Sequence, residues 1–167
     1  MTISRRPMIL GGLLMLAACA EQPAPRVLQY TGPEVTQLIL FKEDRMMHLL
    51  HQQQVLRSYS FELGFEPVGP KRVEGDGRTP EGVYLINRRN PNSEFHLSLG
   101  ISYPDTNDVE VARAMGMRAG GDIFIHGTPR RFRETEDWTA GCIAVTNAEI
   151  EEIYAMVRDG TPIIIMP

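Results

Sequence analysis

From residue 37 onward the chain is a series of short apolar runs broken by turn residues. Gln37–Lys42 and Met46–His51 flank a Glu43-Asp44 turn, the pattern of a hairpin. Gln54–Phe61 sets Val55, Arg57, Tyr59 and Phe61 against the intervening positions, which predicts a third strand. Residues 64–82 are rich in Gly and Pro and show no period, so they read as a long loop. Long loops in compact domains are usually functional. Residues 83–87 and 95–101 predict two more strands, and 122–126 and 142–145 two short ones. A helix is expected over 105–115, capped near Asp105 or Asn107 and stopped by Gly116.

The last helix has the clearest signals. Thr146-Asn147-Ala148-Glu149 is a capping box, with the hydroxyl bonding the third amide and the carboxylate reaching back. Ile150, Ile153, Tyr154 and Val157 then recur at helical spacing on one face. Asp159-Gly160 marks the stop, and Pro162–Met166 predicts a terminal strand. The expected fold class is mainly β with a few helices (α+β), and the globular domain is expected over 36–167. Tyr84 and Trp138 read as packing residues.

Composition narrows the class. The chain has 167 residues, enough for one domain and a tail. Hydrophobic residues make up 43% and charged residues 23%, which excludes overall disorder. The net charge is −4, and no basic run is present. That excludes the electrostatic footprint of a nucleic-acid binder.

The N-terminus reads as an address. Arg5 and Arg6 precede an apolar run from Met8 to Ala18. As a helix that run is about 16 Å long, too short for a hydrocarbon core of about 30 Å, so residues 1–18 read as a signal peptide. The run ends in Leu16-Ala17-Ala18-Cys19, which resembles a bacterial lipobox with Cys19 as the lipidated residue. An ordinary signal peptide that contains a cysteine is the alternative, and Sec and Tat export both stay open. Residues 19–35, with Pro23, Pro25, Gly32 and Pro33, read as the lipidated cysteine and a flexible tether. The expected location is the periplasmic side of a bacterial membrane. Ala20 follows the cysteine where enteric bacteria use Asp for inner-membrane retention, which favours the outer membrane.

The compartment is oxidising, where cysteines normally pair. With Cys19 lipidated, Cys142 has no partner in the chain, so it is either buried or used. Four histidines are present, at 48, 51, 96 and 126, with no HxH, HExxH or CxxC spacing. Neither a metal nor another cofactor is expected. His126 ends the apolar run Ile123-Phe124-Ile125 and precedes Gly127, and Cys142 follows Gly141. A thiol nucleophile needs an imidazole to take its proton and backbone amides for the oxyanion. Gly141 would leave those amides open.

Ile125-His126-Gly127 and Thr139-Ala140-Gly141-Cys142-Ile143 resemble the catalytic motif of the L,D-transpeptidase (YkuD-like) family. Gly75–Tyr84, which includes Thr79-Pro80-Glu81-Gly82, is similar to that family's Thr-Pro-x-Gly segment. Phe95–Pro104 resembles its YafK-like subgroup. The resemblance covers residues 36–167 and implies a β-sandwich catalytic domain. It implies Cys142 as nucleophile and His126 as general base. Gly127 would lie beside the carbonyl that orients the imidazole. The Gly141 and Cys142 amides would face the oxyanion, and Thr139 would position the loop. Ala140 and Ala144 stand where many members carry His and Arg.

Arg78, Arg130 and Arg131 are candidate carboxylate contacts for substrate, and Arg133 lies in the same spacer. A solvated loop, balanced by Glu134, Glu136 and Asp137, is the simpler reading for most of that spacer. The function implied is cysteine acyl transfer on diaminopimelate-containing peptidoglycan stem peptides. Hydrolysis of the acyl-enzyme, including release of wall-linked lipoprotein, uses the same residues. The expected partners are therefore stem peptides, the membrane through the lipid, and a wall-linked lipoprotein. A non-catalytic peptidoglycan-binding lipoprotein and a redox-sensing thiol protein are the alternatives from other classes.

Overall fold

A computed structural model describes residues 24–26 and 28–167. The expected signal peptide and Cys19 lie outside the described residues. Eight strands and two helices follow in order: β1 Gln37–Phe41, β2 Met46–His51, β3 Gln54–Ser60, β4 Gly82–Ser93, β5 His96–Ile101, α1 Thr106–Ala114, β6 Phe124–Gly127, β7 Ile143–Val145, α2 Asn147–Met156 and β8 Pro162–Met166. The fold is mostly β-sheet with two helices.

The strands lie side by side in the order β3-β2-β1-β8-β4-β5-β6-β7. The β1·β8 and β6·β7 pairs are parallel and the others antiparallel. β4 belongs to two sheets. Gly82–Leu85 pair with β8, and Ile86–Ser93 pair with β5, with register shifts between Ile86 and Arg88 and between Asn90 and Ser93. The chain leaving β3 then meets β7, where Glu62 and Ala144 exchange both backbone hydrogen bonds at 2.8 and 2.9 Å. That exchange occupies the polar edge that β7 would otherwise expose.

One apolar core joins both sheets. Leu38, Leu40, Met47, Leu49, Ile163 and Ile165 come from one side, and Ile86, Leu99, Ile101, Ile125 and Ile143 from the other. Ile150, Ile153 and Val157 of the second helix and its flank complete it, as the helical spacing predicts. Both helices begin with capping boxes, Asp105 with Asp108 and Thr146 with Glu149. Tyr84 is buried in the core, as expected.

Two elements differ from expectation. β4 runs on through Arg88–Ser93, a polar stretch that has little strand character by itself. Pairing with the fully buried β5 holds it, and tertiary pairing outweighs local preference. α2 ends at Met156, before the Asp159-Gly160 stop, because Val157 turns to extended backbone with its side chain in the core. The described part of the expected tether lies against the domain. The Arg26 amide donates to Glu151 Oε1 at 2.9 Å, Tyr30 packs on the core, and Val35 is buried. Among the described residues no helix is long and apolar enough to cross a membrane.

Candidate active site

β6 and β7 run parallel, with His126 opposite Ala144. Strand alternation puts Cys142, two residues before Ala144, on the same face as His126. Sequence-distant residues 126 and 142 are thus brought to one end of two adjacent strands. Gly127, Thr139 and Gly141 arrive with them.

His126 is 3% exposed. Its Nδ1 lies 2.8 Å from the Gly127 carbonyl oxygen. A carbonyl only accepts, so Nδ1 carries the proton and Nε2 of the neutral ring presents its lone pair. Burial lowers the imidazole pKa below its ordinary value, and the Gly127 hydrogen bond opposes this more weakly. The ring is neutral at neutral pH. The expected orienting carbonyl is Gly127's own.

Two aromatic rings flank the imidazole, and a third backs one of them. Phe95 stacks on it, with centroids 4.6 Å apart and planes 26° apart. Trp138 meets it edge-on at 5.5 Å and stacks on Phe132 at 4.1 Å. Trp138 is a packing residue, as expected, and what it packs against is the imidazole. The sequence gives no local signal for the Phe95 contact, since 31 positions separate it from His126.

Cys142 is partly exposed and unpaired among the described residues. Its Sγ donates toward the Asp122 carbonyl at 3.5 Å. Burial pushes the thiol pKa up; a backbone hydrogen bond from Phe124 pulls it down, and the Asp122 carboxylate adds to the rise. The resting pair is therefore a neutral thiol and a neutral imidazole, without a preformed ion pair.

The loop that carries Cys142 is tied on both sides. Thr139 Oγ1 accepts from the Gly141 amide at 3.1 Å and donates to the Cys142 carbonyl at 2.8 Å. The Gly141 amide is thereby occupied, which leaves the Cys142 amide as the remaining oxyanion candidate of the two. Thr79, fully buried, donates from Oγ1 to the Gly141 carbonyl at 3.0 Å. Gly141 has φ +123°, and a Cβ there would stand 2.5 Å from the Arg78 carbonyl oxygen. Glycine is required by both counts. Gly64 has the same need, because a Cβ would strike the Gly77 carbonyl and the Gly141 amide.

The long Gly/Pro loop is held by the chain's two lysines. Buried Lys42 Nζ donates to the carbonyls of Gly69 and Thr79 and to Glu81 Oε1, at 2.6, 3.2 and 2.8 Å. Lys71 Nζ, also buried, donates to Asp76 Oδ1 at 2.8 Å and the Val73 carbonyl at 3.1 Å. The chain Lys42–Thr79–Gly141 ends one residue from the thiol. Sequence reading quoted Thr79 within a motif but missed this support.

The arginines separate. Arg78 is at the site through its backbone, and its side chain turns to Gly69. Arg130 and Arg131 are exposed on a single 3-10 turn, where Arg131 rests on the Phe132 ring at 4.8 Å. Arg133 instead lines a cavity of about 700 Å³ beside β7, together with Phe132, Ala144, Asn147, His96 and Glu151. Among the described residues no group of three His, Cys, Asp or Glu could hold a metal.

Comparison with known proteins identifies the family. The L,D-transpeptidase catalytic domain (YkuD) family model matches residues 36–165. YafK of Escherichia coli strain K12 is 33% identical over 124 residues, which is 71% of this chain and 45% of that protein. This chain thus spans less than half of that relative. The helical cell shape determining protein Pgp2 of Campylobacter jejuni is similar in structure, with TM-score 0.62, 23% identity, and coverage of 86% of this chain and 51% of that one. An L,D-transpeptidase from Mycobacterium smegmatis has TM-score 0.54 and 15% identity, covering 80% and 59%. With its His-Gly strand end, its Thr-x-Gly-Cys loop and a family match over residues 36–165, the chain belongs to the L,D-transpeptidase catalytic domain family.

Proposed function

We propose that this protein carries out cysteine acyl transfer on diaminopimelate-containing stem peptides of peptidoglycan. The observation that supports it most is the tautomer of His126. Its Nδ1 proton is fixed on Gly127, so Nε2 is the basic atom, on the face that carries Cys142. The thiol proton passes to Nε2 as Sγ attacks the amide carbonyl. The Cys142 amide stabilises the oxyanion. The carbon–nitrogen bond then breaks, and the leaving amine takes its proton from the imidazolium. This leaves a thioester on Cys142. An incoming amine or water gives its proton to Nε2, attacks the thioester, and the released thiolate regains the proton. Attack by an amine makes a new amide, and attack by water makes the enzyme a peptidase that can release wall-linked lipoprotein.

The acylation step is a general-base reaction, because neither partner is charged at rest. Arg133 lines the cavity beside β7, and we offer it as a candidate contact for a stem-peptide carboxylate. The short apolar leader and Cys19 support a lipid-anchored protein on the periplasmic side, at the outer membrane. By analogy with the cell shape determining protein Pgp2, a role in cell shape is part of this proposal.

One observation favours a second reading, a peptidoglycan-binding lipoprotein without catalysis. Ala140 and Ala144 replace the His and Arg often found in the motif, and the small Ala144 leaves the cavity open. Mass spectrometry of muropeptides incubated with wild type and Cys142→Ala separates the two. New cross-links or cleavage products with wild type alone support catalysis, and unchanged muropeptides with both support binding only.

A further inference from the structure

Phe95 touches the His126-Gly127 step twice. Its ring stacks on the imidazole, and its carbonyl accepts the Gly127 amide at 2.9 Å. It occupies the tip of the β4–β5 hairpin, where Ser93 pairs with His96 and only Glu94 and Phe95 lie between. A two-residue tip does not by itself fix an aromatic side chain.

The next residue supplies the anchor. His96 is buried and has φ +76°, the left-handed region, which non-glycine residues adopt at a cost. Its Nε2 lies 2.8 Å from Glu151 Oε1 on α2. Glu151 is held below the usual carboxylate range despite partial burial, through hydrogen bonds from the Arg26 amide and His96. An ionised carboxylate only accepts, so His96 Nε2 is the donor. One turn earlier on the same face of α2, Asn147 Oδ1 fills the space that a Gly127 side chain would take, beside the His96 Cβ. α2 therefore bonds the hairpin tip through Glu151 and packs Asn147 against the glycine that orients the imidazole.

We propose that Phe95, His96 and Glu151 form a positioning clamp for the His126 ring, an inference that rests on the proposed use of His126 as general base. Glu151 holds His96 in its left-handed conformation. That conformation sets the direction of Phe95, and Phe95 limits rotation of the imidazole away from the Gly127 carbonyl. None of the three exchanges a proton with substrate.

The test reads the ring directly. Long-range proton–nitrogen spectra report the tautomer and the Nδ1 proton of each histidine, with His126 assigned by its loss in His126→Gln. Wild type is expected to show a single Nδ1–H tautomer with a protected proton. In Glu151→Ala that proton should exchange with solvent about 2- to 10-fold faster, the ratio for loss of one aromatic stacking contact. Glu151→Gln keeps an oxygen acceptor and should match wild type. Phe95→Leu keeps apolar bulk without the flat ring and should exchange as fast as Glu151→Ala. A folded Glu151→Ala protein with wild-type His126 signals overturns the clamp. If that variant does not fold, wild-type signals in Phe95→Leu overturn it. The spectra need no substrate, so a wild type inert toward muropeptides would sink the proposed chemistry and leave the clamp result standing.

Discussion

Replacing Thr79 with Val removes one hydroxyl and changes little else in shape. The backbone of Thr79 keeps its bonds from Lys42 Nζ and the Lys71 amide, so the substitution isolates the Oγ1 contact to Gly141. The site is fully buried, and water does not reach the orphaned carbonyl. Leaving a buried acceptor unpaired costs about 1–3 kcal/mol. The methyl group that replaces the hydroxyl recovers about 0.8 kcal/mol. Taking about 2 kcal/mol, the middle of that range, the net loss is about 1.2 kcal/mol, and at about 2–4 °C per kcal/mol for a domain of this size the melting temperature should fall by about 2–5 °C. Thermal unfolding followed by circular dichroism measures it. The loop beside the thiol should loosen in parallel, so acylation of Cys142 by a carbapenem should slow in Thr79→Val, as intact-protein mass spectrometry would record. A Thr79→Val protein that melts within about 1 °C of wild type would refute the view that this hydroxyl supports the nucleophile loop.

Three other outcomes follow from the site and the leader. Burial raises the Cys142 thiol above its ordinary pKa of 9.0, so iodoacetamide should label it slowly at neutral pH, with half-maximal rate above pH 9; a half-point below 8 would contradict a neutral resting thiol. The folded His126 pKa lies below the unfolded value of 6.5, so below that pH the unfolded chain binds more protons and stability falls as pH drops further. Urea unfolding of wild type and His126→Gln from pH 7 to 5 should show a shallower decline in the variant, and identical slopes would remove His126 as a source. Cys19→Ser should abolish incorporation of a clickable palmitate analogue, and a wild type without label is not a lipoprotein.

Local signals in the sequence were the ones that transferred best. Thr146 through Glu149 place the start of α2 because a capping box closes within four residues. Pro162–Met166 and Met46–His51 are bounded by turns and hold their limits. β4 beyond Asn87 was not legible, since its partner β5 decides it. The same holds around the candidate site. His126 and Cys142 stood out by residue type and by glycine neighbours, but Thr79, Lys42, Phe95 and Trp138 act across long sequence separations. Gly141 was read as clearance for amides; its backbone angle and the nearby Arg78 carbonyl impose the requirement, and its own amide is engaged by Thr139.

The burial of Lys42 and Lys71 has a consequence for the surface. They are the chain's only lysines, 4% and 5% exposed, and each is committed to carbonyl and carboxylate partners. All remaining positive side chains are arginines, apart from any protonated histidine, and a guanidinium does not lose its proton near neutral pH. The folded surface thus offers no side-chain amine to a reactive thioester. Under the proposed chemistry, a second copy of this chain would present no exposed lysine to an acyl group held on Cys142. On that reading, burial of both lysines suppresses self-conjugation and leaves the acyl group to acceptors supplied by other molecules.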